Sequence, residues 1–226
     1  MAGNDFNSRA GWEARGLTYV VAEISGNHGG SILCAIELIK QAKLAGADAV
    51  KFQCFDPERL AEKRSKNPEV LKLANGKDLL SLYLQTYTPK EWFPRLIEHA
   101  HGIDWFASVF DPYDVEFLEK LDCPRYKISA FEMLDWELIK AVRETGKPII
   151  MSVRPTDNVW ILQATDYEGK TVPLGLSDHS CSLPLGNIPM VEWHLKLPDV
   201  ETPDSDFSVT PFELKSMINF IRRAAA

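Results

Sequence analysis

Between Thr18 and Gln53 the chain carries a complete strand–helix–strand unit, and no other feature restricts the fold as much. Residues 18–24 form a β-favouring apolar run, followed by the turn-like Gly26-Asn-His-Gly-Gly30. Ile32, Ile36 and Ile39 then fall on one helical face, with Ser31 placed to cap the start and Gly46 the end. Residues 49–53 (Ala-Val-Lys-Phe-Gln) read as a second strand. Two strands joined by a helix-length crossover favour parallel pairing.

The alternation continues with strand signals at 105–109, 125–128 and 148–152 and helical patterns near 114–121 and 134–144. Residues 54–87 read as a long polar segment leading into Thr88-Pro89-Lys90-Glu91, which has capping-box spacing, with Pro94 set to kink the helix that follows. A barrel or a doubly wound sheet fits this order. In the second half, strand-like runs recur at 159–164, 172–176 and 190–194, but the first two joints are only 153–158 and 165–171. Joints that short cannot hold a packed crossover helix, so this half is either a stripped barrel with distorted closure or locally irregular. Residues 181–189 contain two prolines and a glycine and make a poor helix. Thr210-Pro211-Phe-Glu213 opens a last capped helix to Arg223, with Phe212, Met217 and Phe220 as expected apolar-face positions.

With 226 residues and a net charge of −7, the chain is long enough for one substantial core and poorly suited to nucleic acid. It shows neither a membrane-length apolar run nor a signal-peptide core, so a cytoplasmic domain over 18–226 is expected, preceded by an extension at 1–17. Cys34, Cys54, Cys123 and Cys181 are too scattered for a disulfide framework or a structural zinc site.

Polar residues recur at or just beyond strand C-termini: Glu23, Lys51, Gln53, Ser108, Lys127, Ser129, Ser152, Ser177-Asp178-His179 and Glu192-Trp193-His194. That edge is where barrels and open parallel sheets bind ligands. Lys51 and Lys127 sit in apolar runs, where each ammonium needs an anion. A bound phosphate or carboxylate, supported by the serines, satisfies that need, and so does a core carboxylate such as Glu23 or Glu132. His179 and His194 suit either metal ligation, with Asp178 and Glu192 as orienting neighbours, or ordinary structural hydrogen bonding; their spacing is no zinc motif. His28 reads as a residue fixing the glycine-rich turn, which lacks the phosphate-loop patterns. Trp193 is placed to line the site, whereas Trp12, Trp92, Trp105, Trp136 and Trp160 read as packing residues.

Taken in order, the motifs resemble one family. Val21-Ala-Glu-Ile24 with Asn27-His28, residues 45–53, Phe106-Ala-Ser-Val-Phe-Asp111 and Tyr126-Lys-Ile-Ser-Ala-Phe-Glu132 are similar to the sialic acid (nonulosonic acid) synthases. Gly146-Lys-Pro-Ile-Ile-Met-Ser152, Gly175-Leu-Ser-Asp-His179, Val191-Glu-Trp-His194 and Pro203-Asp-Ser-Asp-Phe-Ser208 continue the match. The resemblance implies a (β/α)₈ TIM-type barrel with helices missing or reduced after strands 5, 6 and 7. It implies condensation of phosphoenolpyruvate with an N-acylated sugar, possible homodimers, and a manganese or magnesium ion on His179 and His194. Lys51, Ser108, Lys127 and Ser152 would hold phosphoenolpyruvate, with Ser177 nearby and Ser129 as a neighbouring donor. Glu23, Gln53, Glu132 and Asp204 would face the sugar, with Glu23 or Glu132 moving protons and Lys51 setting the attack geometry.

The chain also departs from the family pattern. Ala130 stands where a serine is usual, so that the donor at Ser129 is displaced by one; Ser152-Val-Arg-Pro155 replaces a Ser-Thr-Gly-Met loop, and Trp193 replaces a lysine. No match to the family's C-terminal antifreeze-like domain is expected within these residues. These losses motivate an alternative, a non-catalytic barrel descendant acting as a binding or assembly module. An aldol-type synthase for a phosphorylated sugar is a third reading, disfavoured because no second basic cluster is evident.

Overall fold

The computed structural model describes residues 18–156, 159–165, 171–183 and 188–224. The expected extension at 1–17, including Trp12, lies outside them, as do the side chains of Arg154 and Trp160. Strand β1 (Tyr19–Glu23), helix α1 (Ile32–Ala45) and strand β2 (Ala49–Cys54) form the unit that the opening residues dictate. Ser31 caps α1 through its hydroxyl, and Gly46 closes it at φ +91°, a left-handed conformation that favours glycine.

The segment after β2 departs from expectation. It holds three helices, α2 (Pro57–Arg64), α3 (Pro68–Ala74) and α4 (Leu79–Thr86). Their signal lies in the caps rather than in periodicity: Asp56, Asn67 and Asp78 accept first-turn N–H groups, and Pro57 and Pro68 sit in the first turn. They build a small core of their own from Leu60, Val70, Ala74, Leu79 and Tyr83 against Phe55 and Phe110. The capping box expected at Thr88 does not form. Lys90–Trp92 is a 3₁₀ turn without a side-chain cap, α5 (Phe93–His99) begins after it with Pro94 in its first turn, and the Thr88 hydroxyl faces His28 Nε2 at 3.4 Å.

Then come β3 (Asp104–Val109), α6 (Pro112–Glu119), β4 (Tyr126–Ile128), α7 (Trp136–Glu144), β5 (Ile149–Thr156), β6 (Val159–Thr165), β7 (Thr171–Asp178), β8 (Met190–Leu195), a two-residue β9 (Ser208–Val209) and α8 (Pro211–Ala224). Strands pair in chain order and β1 pairs with β8, so the barrel closes. All pairings are parallel except those of β6, which runs antiparallel to both β5 and β7. Short joints explain the reversal: with no room for a crossover helix, the chain can only turn back on itself. Among the described residues no helix lies between β5 and β8, as the short joints imply. Closure then depends on Gly175, where an added Cβ would stand 1.9 Å from the Met190 carbonyl oxygen.

Side-chain alternation divides the barrel into layers. Val20, Ala22, Val50, Phe52, Ala107, Val109, Val191 and Trp193 face outward into the helical shell. Tyr19, Val21, Ala49, Phe106, Ile150, Leu162 and Met190 fill the lower interior as a separate apolar cluster. Glu23, Lys51, Ser108, Lys127, Ser152, Ser177 and Glu192, all buried, follow one step higher along the same inward faces. On α8 the capping box is real, with Glu213 accepting from the Thr210 N–H and hydroxyl. The expected apolar face is corrected, however: Phe212 and Phe220 are 81% and 58% exposed, and Leu214, Met217 and Ile218 carry the packing. Trp136 is also exposed rather than packed.

Gly175→Ala is expected to lower unfolding stability by more than about 3 kcal/mol, because a backbone carbonyl cannot yield as a side chain does. Urea denaturation of the variant beside wild type measures it.

Candidate active site

A cavity of about 360 Å³ opens at the C-terminal ends of the parallel strands. Its polar floor is the upper barrel layer, and its other side is the α2–α4 segment. Lys51, Gln53, Ser108, Lys127, Ser129, Ser152, Ser177, His179, His194 and Asp204 all line it, so the structure gathers ten of the sequence-predicted residues in one place.

Glu23 and Glu132 are not on its wall. Glu23 is wholly buried, accepting the Ser25 N–H at 2.7 Å and pairing with Lys51 Nζ at 2.9 Å. Besides Asp204, the carboxylate that reaches the cavity is Glu192, 2.6 Å from Lys51 Nζ and 3.7 Å from Lys127 Nζ, accepting the Ser177 hydroxyl at 2.7 Å. Glu23, Lys51, Glu192 and Lys127 thus form a buried row of alternating charge. Burial opposes ionisation of Lys51, but Glu192 and Glu23 outweigh it and raise its pKa. Burial likewise acts to raise Glu192, yet Lys127 and Lys51 hold it well below the usual carboxylate range. Lys127 has the weaker attraction; burial, aided by repulsion from Lys51, lowers it to about 8.

Ser108 and Ser152 stand out beside this row. Both hydroxyls are buried, both residues line the cavity, and neither oxygen has a hydrogen-bond partner among the described residues. Buried hydroxyls rarely go unpaired, so two of them beside two ammonium groups form a cradle for an anion's oxygens.

At the opposite side His179 and His194 pack edge to face with ring centroids 4.8 Å apart. The Phe207 ring stacks on His179 at 4.9 Å and meets His194 edge-on at 5.0 Å. Asp204 Oδ2 lies 3.3 Å from His194 Nδ1, which makes no full hydrogen bond. Burial, and then His194, depress the His179 pKa to about 3, so this imidazole is neutral and carries a ligand lone pair. Among the described residues no set of three or more His, Cys, Asp or Glu side chains surrounds one point. The two rings with an adjacent carboxylate therefore fit an ion that keeps much of its shell as water or substrate oxygen, as magnesium and manganese do, and do not fit a closed structural zinc site.

Two expected neighbours serve elsewhere. Asp178 points outward, accepting from Ser180 and from the Trp193 indole at 3.3 Å, so it does not orient His179. Trp193 is fully buried in the helical shell rather than at the site, because strand alternation turns it away from Glu192 and His194. His28 does hold the glycine-rich turn, accepting the Gly30 N–H at 3.1 Å.

Residues that the sequence did not single out complete the wall. From α2, Arg64 grips Glu132 in a fork of 2.9 and 2.8 Å, adds 3.3 Å to the Ser129 hydroxyl, and lies over the Phe110 and Phe131 rings. Ser129 also donates to Glu132, so its hydroxyl is already engaged although it lines the cavity. Around Arg64 the wall is largely apolar, with Phe55, Leu60, Leu73, Leu82, Phe110 and Phe131, and is interrupted by Lys77, Tyr83 and Thr86. Glu192, read from the sequence as an orienting neighbour of the histidines, instead pairs with the lysines, and strand alternation puts it on the inward face with His194 two residues on. Arg64 leaves no local signal, because only tertiary packing of α2 brings it to the cavity.

A family model for the NeuB family matches residues 38–167. The chain belongs to the NeuB family. Pseudaminic acid synthase of Campylobacter jejuni is 32% identical over 91% of this chain and 73% of its own length. The N,N'-diacetyllegionaminic acid synthase of Legionella pneumophila is 24% identical over 91% of this chain and 72% of its own. In fold, this NeuB-family chain matches the N-acetylneuraminic acid synthetase of Leptospira borgpetersenii at a TM-score of 0.72 and 20% identity, over 92% of this chain and 84% of that one.

Arg64→Met leaves the Glu132 carboxylate buried without its partner and is expected to cost about 3 kcal/mol of stability. In the double variant Arg64→Met/Glu132→Gln much of that loss returns. Chemical denaturation of the three proteins checks both statements.

Proposed function

We propose that this chain condenses phosphoenolpyruvate with an N-acylated sugar to give a nonulosonic acid and inorganic phosphate. The observation that carries the reading is the pair of unpartnered buried hydroxyls, Ser108 and Ser152, beside Lys51 and Lys127. Family membership and relatives named as pseudaminic and legionaminic acid synthases support it.

In this reading C3 of the enolpyruvate bonds to the aldehyde carbon of the open-chain sugar. Water adds at the former enol carbon, and the bond from that carbon to the phosphate oxygen breaks. Lys127 and the two serines hold the anion in attack geometry, while Lys51, already flanked by two carboxylates, fixes Glu192 beside it. A divalent ion, manganese or magnesium, held by His179 and His194 supplies Lewis-acid polarisation of the aldehyde oxygen when bound. Glu192 stays ionised between its lysines and accepts hydrogen bonds rather than delivering protons. Lys127 Nζ is the group poised to hold or release a proton near neutral pH. Gln53 and Asp204, on the wall, face the sugar.

The apolar wall around Arg64 narrows the acceptor. A polyhydroxylated tail would replace only part of its hydrogen bonds to water there, through Arg64, Lys77 and Tyr83, whereas acyl methyls or a deoxy carbon bury favourably. The reading therefore favours a sugar with more than one acylated amine or a deoxy position over a simple monoacylated hexosamine.

Incubation with phosphoenolpyruvate, manganese and a panel of mono- and di-N-acylated sugars should release phosphate together with a 2-keto sugar acid. Absence of both products across the panel would refute the proposal. The efficiency kcat/KM for phosphoenolpyruvate should fall as pH rises through about 8, where Lys127 loses the charge that holds the anion. Lys127→Arg keeps its charge at higher pH and should remove that inflection from the profile.

A further inference from the structure

The loop after β1 does not line the cavity, yet it controls the residues that do. Asn27 is wholly buried and both ends of its amide reach into the segment before α8. Its Nδ2 donates to the Ser208 hydroxyl at 2.8 Å, and its Oδ1 accepts the Thr202 hydroxyl at 2.5 Å. Ser208 in turn donates to the Asp204 carbonyl at 2.6 Å, and the Thr202 N–H donates to Ser205 at 2.8 Å. The segment so fastened carries Asp204 and Phe207, two of the side chains that touch the histidine rings.

Gly26 acts on the same segment by leaving space. It adopts φ +78°, and a Cβ there would stand 2.6 Å from Asp204 Oδ2 and 3.1 Å from its Cγ. The carboxylate oxygen that faces His194 Nδ1 therefore occupies volume available only because residue 26 has no side chain.

We propose that Gly26 and Asn27 are positioning residues for the His179–His194 pair, acting through Asp204 and Phe207. This rests on the reading of those histidines as holders of a divalent ion. The first turn of the barrel sets the ring orientation that the last turn presents. It also accounts for a buried asparagine and a left-handed glycine so far from the anion cradle in role.

The molecule contains its own control. Gly30 has the same left-handed backbone, φ +72°, but a Cβ there would meet nothing within 4 Å. Gly26→Ala and Gly30→Ala thus impose similar backbone strain, and only the first pushes Asp204.

The experiment records histidine side-chain ¹H–¹⁵N spectra of the metal-free proteins at one pH, then titrates manganese and follows it by electron paramagnetic resonance. Gly26→Ala should shift the His194 ring signals and weaken manganese binding at least about tenfold, as loss of a ligand's orienting partner does. Gly30→Ala should leave both as in wild type, with a melting temperature close to that of Gly26→Ala. Asn27→Ala should move the same ring signals as Gly26→Ala. If Gly26→Ala leaves the His194 signals unmoved, or if Gly30→Ala moves them equally, the proposal is overturned. Failure of wild type to bind manganese would instead refute the metal reading, and the ring signals would still decide the positioning claim.

Discussion

Lys51 is fully buried between Glu23 and Glu192, and the rest of the site is arranged around that contact. Its two partners come from β1 and β8, the strands that close the barrel, so one ammonium joins three adjacent strands at the rim. Taking three charges out of water costs several kcal/mol per ion unless each is met by its opposite. The alternation of sign meets that condition, and Ser177 fills a further acceptor position on Glu192. A consequence for ligand binding follows. Lys51 is already neutralised, so the weight of anion recognition falls on Lys127 and on the serine hydroxyls that the protein leaves unpaired.

The second half of the barrel is economical without being open. With β6 reversed, neither of the two joints beside it needs a crossover helix, and the lower interior still closes over Ile150, Leu162 and Met190. Among the described residues, no polar group of the reversed strand lies on the cavity wall. Ser152 before it and Ser177 after it keep their inward direction at the upper rim, so the anion cradle and the histidine side survive the shortening. That weakens the ground for a purely structural descendant, since the losses fall on the outer shell rather than on the inward faces.

Much of this was legible in the sequence, for definite physical reasons. Strand positions followed from short apolar runs, and polar residues at the C-terminal strand ends named most of the cavity's polar floor. The resemblance to a family supplied the expected roles. Four things escaped. Helices α2–α4, seven or eight residues each, are too short to show a periodic apolar face, and only their capping residues announce them. Arg64 reaches the cavity through packing of α2 alone, and with it Glu132 is gripped rather than free. Trp193 was placed at the site by its neighbours in sequence, while the two-residue period of a strand sends it to the opposite face. On α8, similarly, hydrophobicity alone suggested Phe212 and Phe220, but the i, i+3, i+4 spacing of Leu214, Met217 and Ile218 decides the buried stripe.

The central claim is that the unpaired serines and the lysine row receive the anion. Calorimetric titration of phosphoenolpyruvate into wild type and into Ser108→Ala/Ser152→Ala tests it most directly. The account predicts saturable binding to wild type and a loss of more than about tenfold in the double variant, with folding unaffected because neither hydroxyl has a partner to lose. Equal affinity in the two proteins, or no binding to wild type, would contradict it.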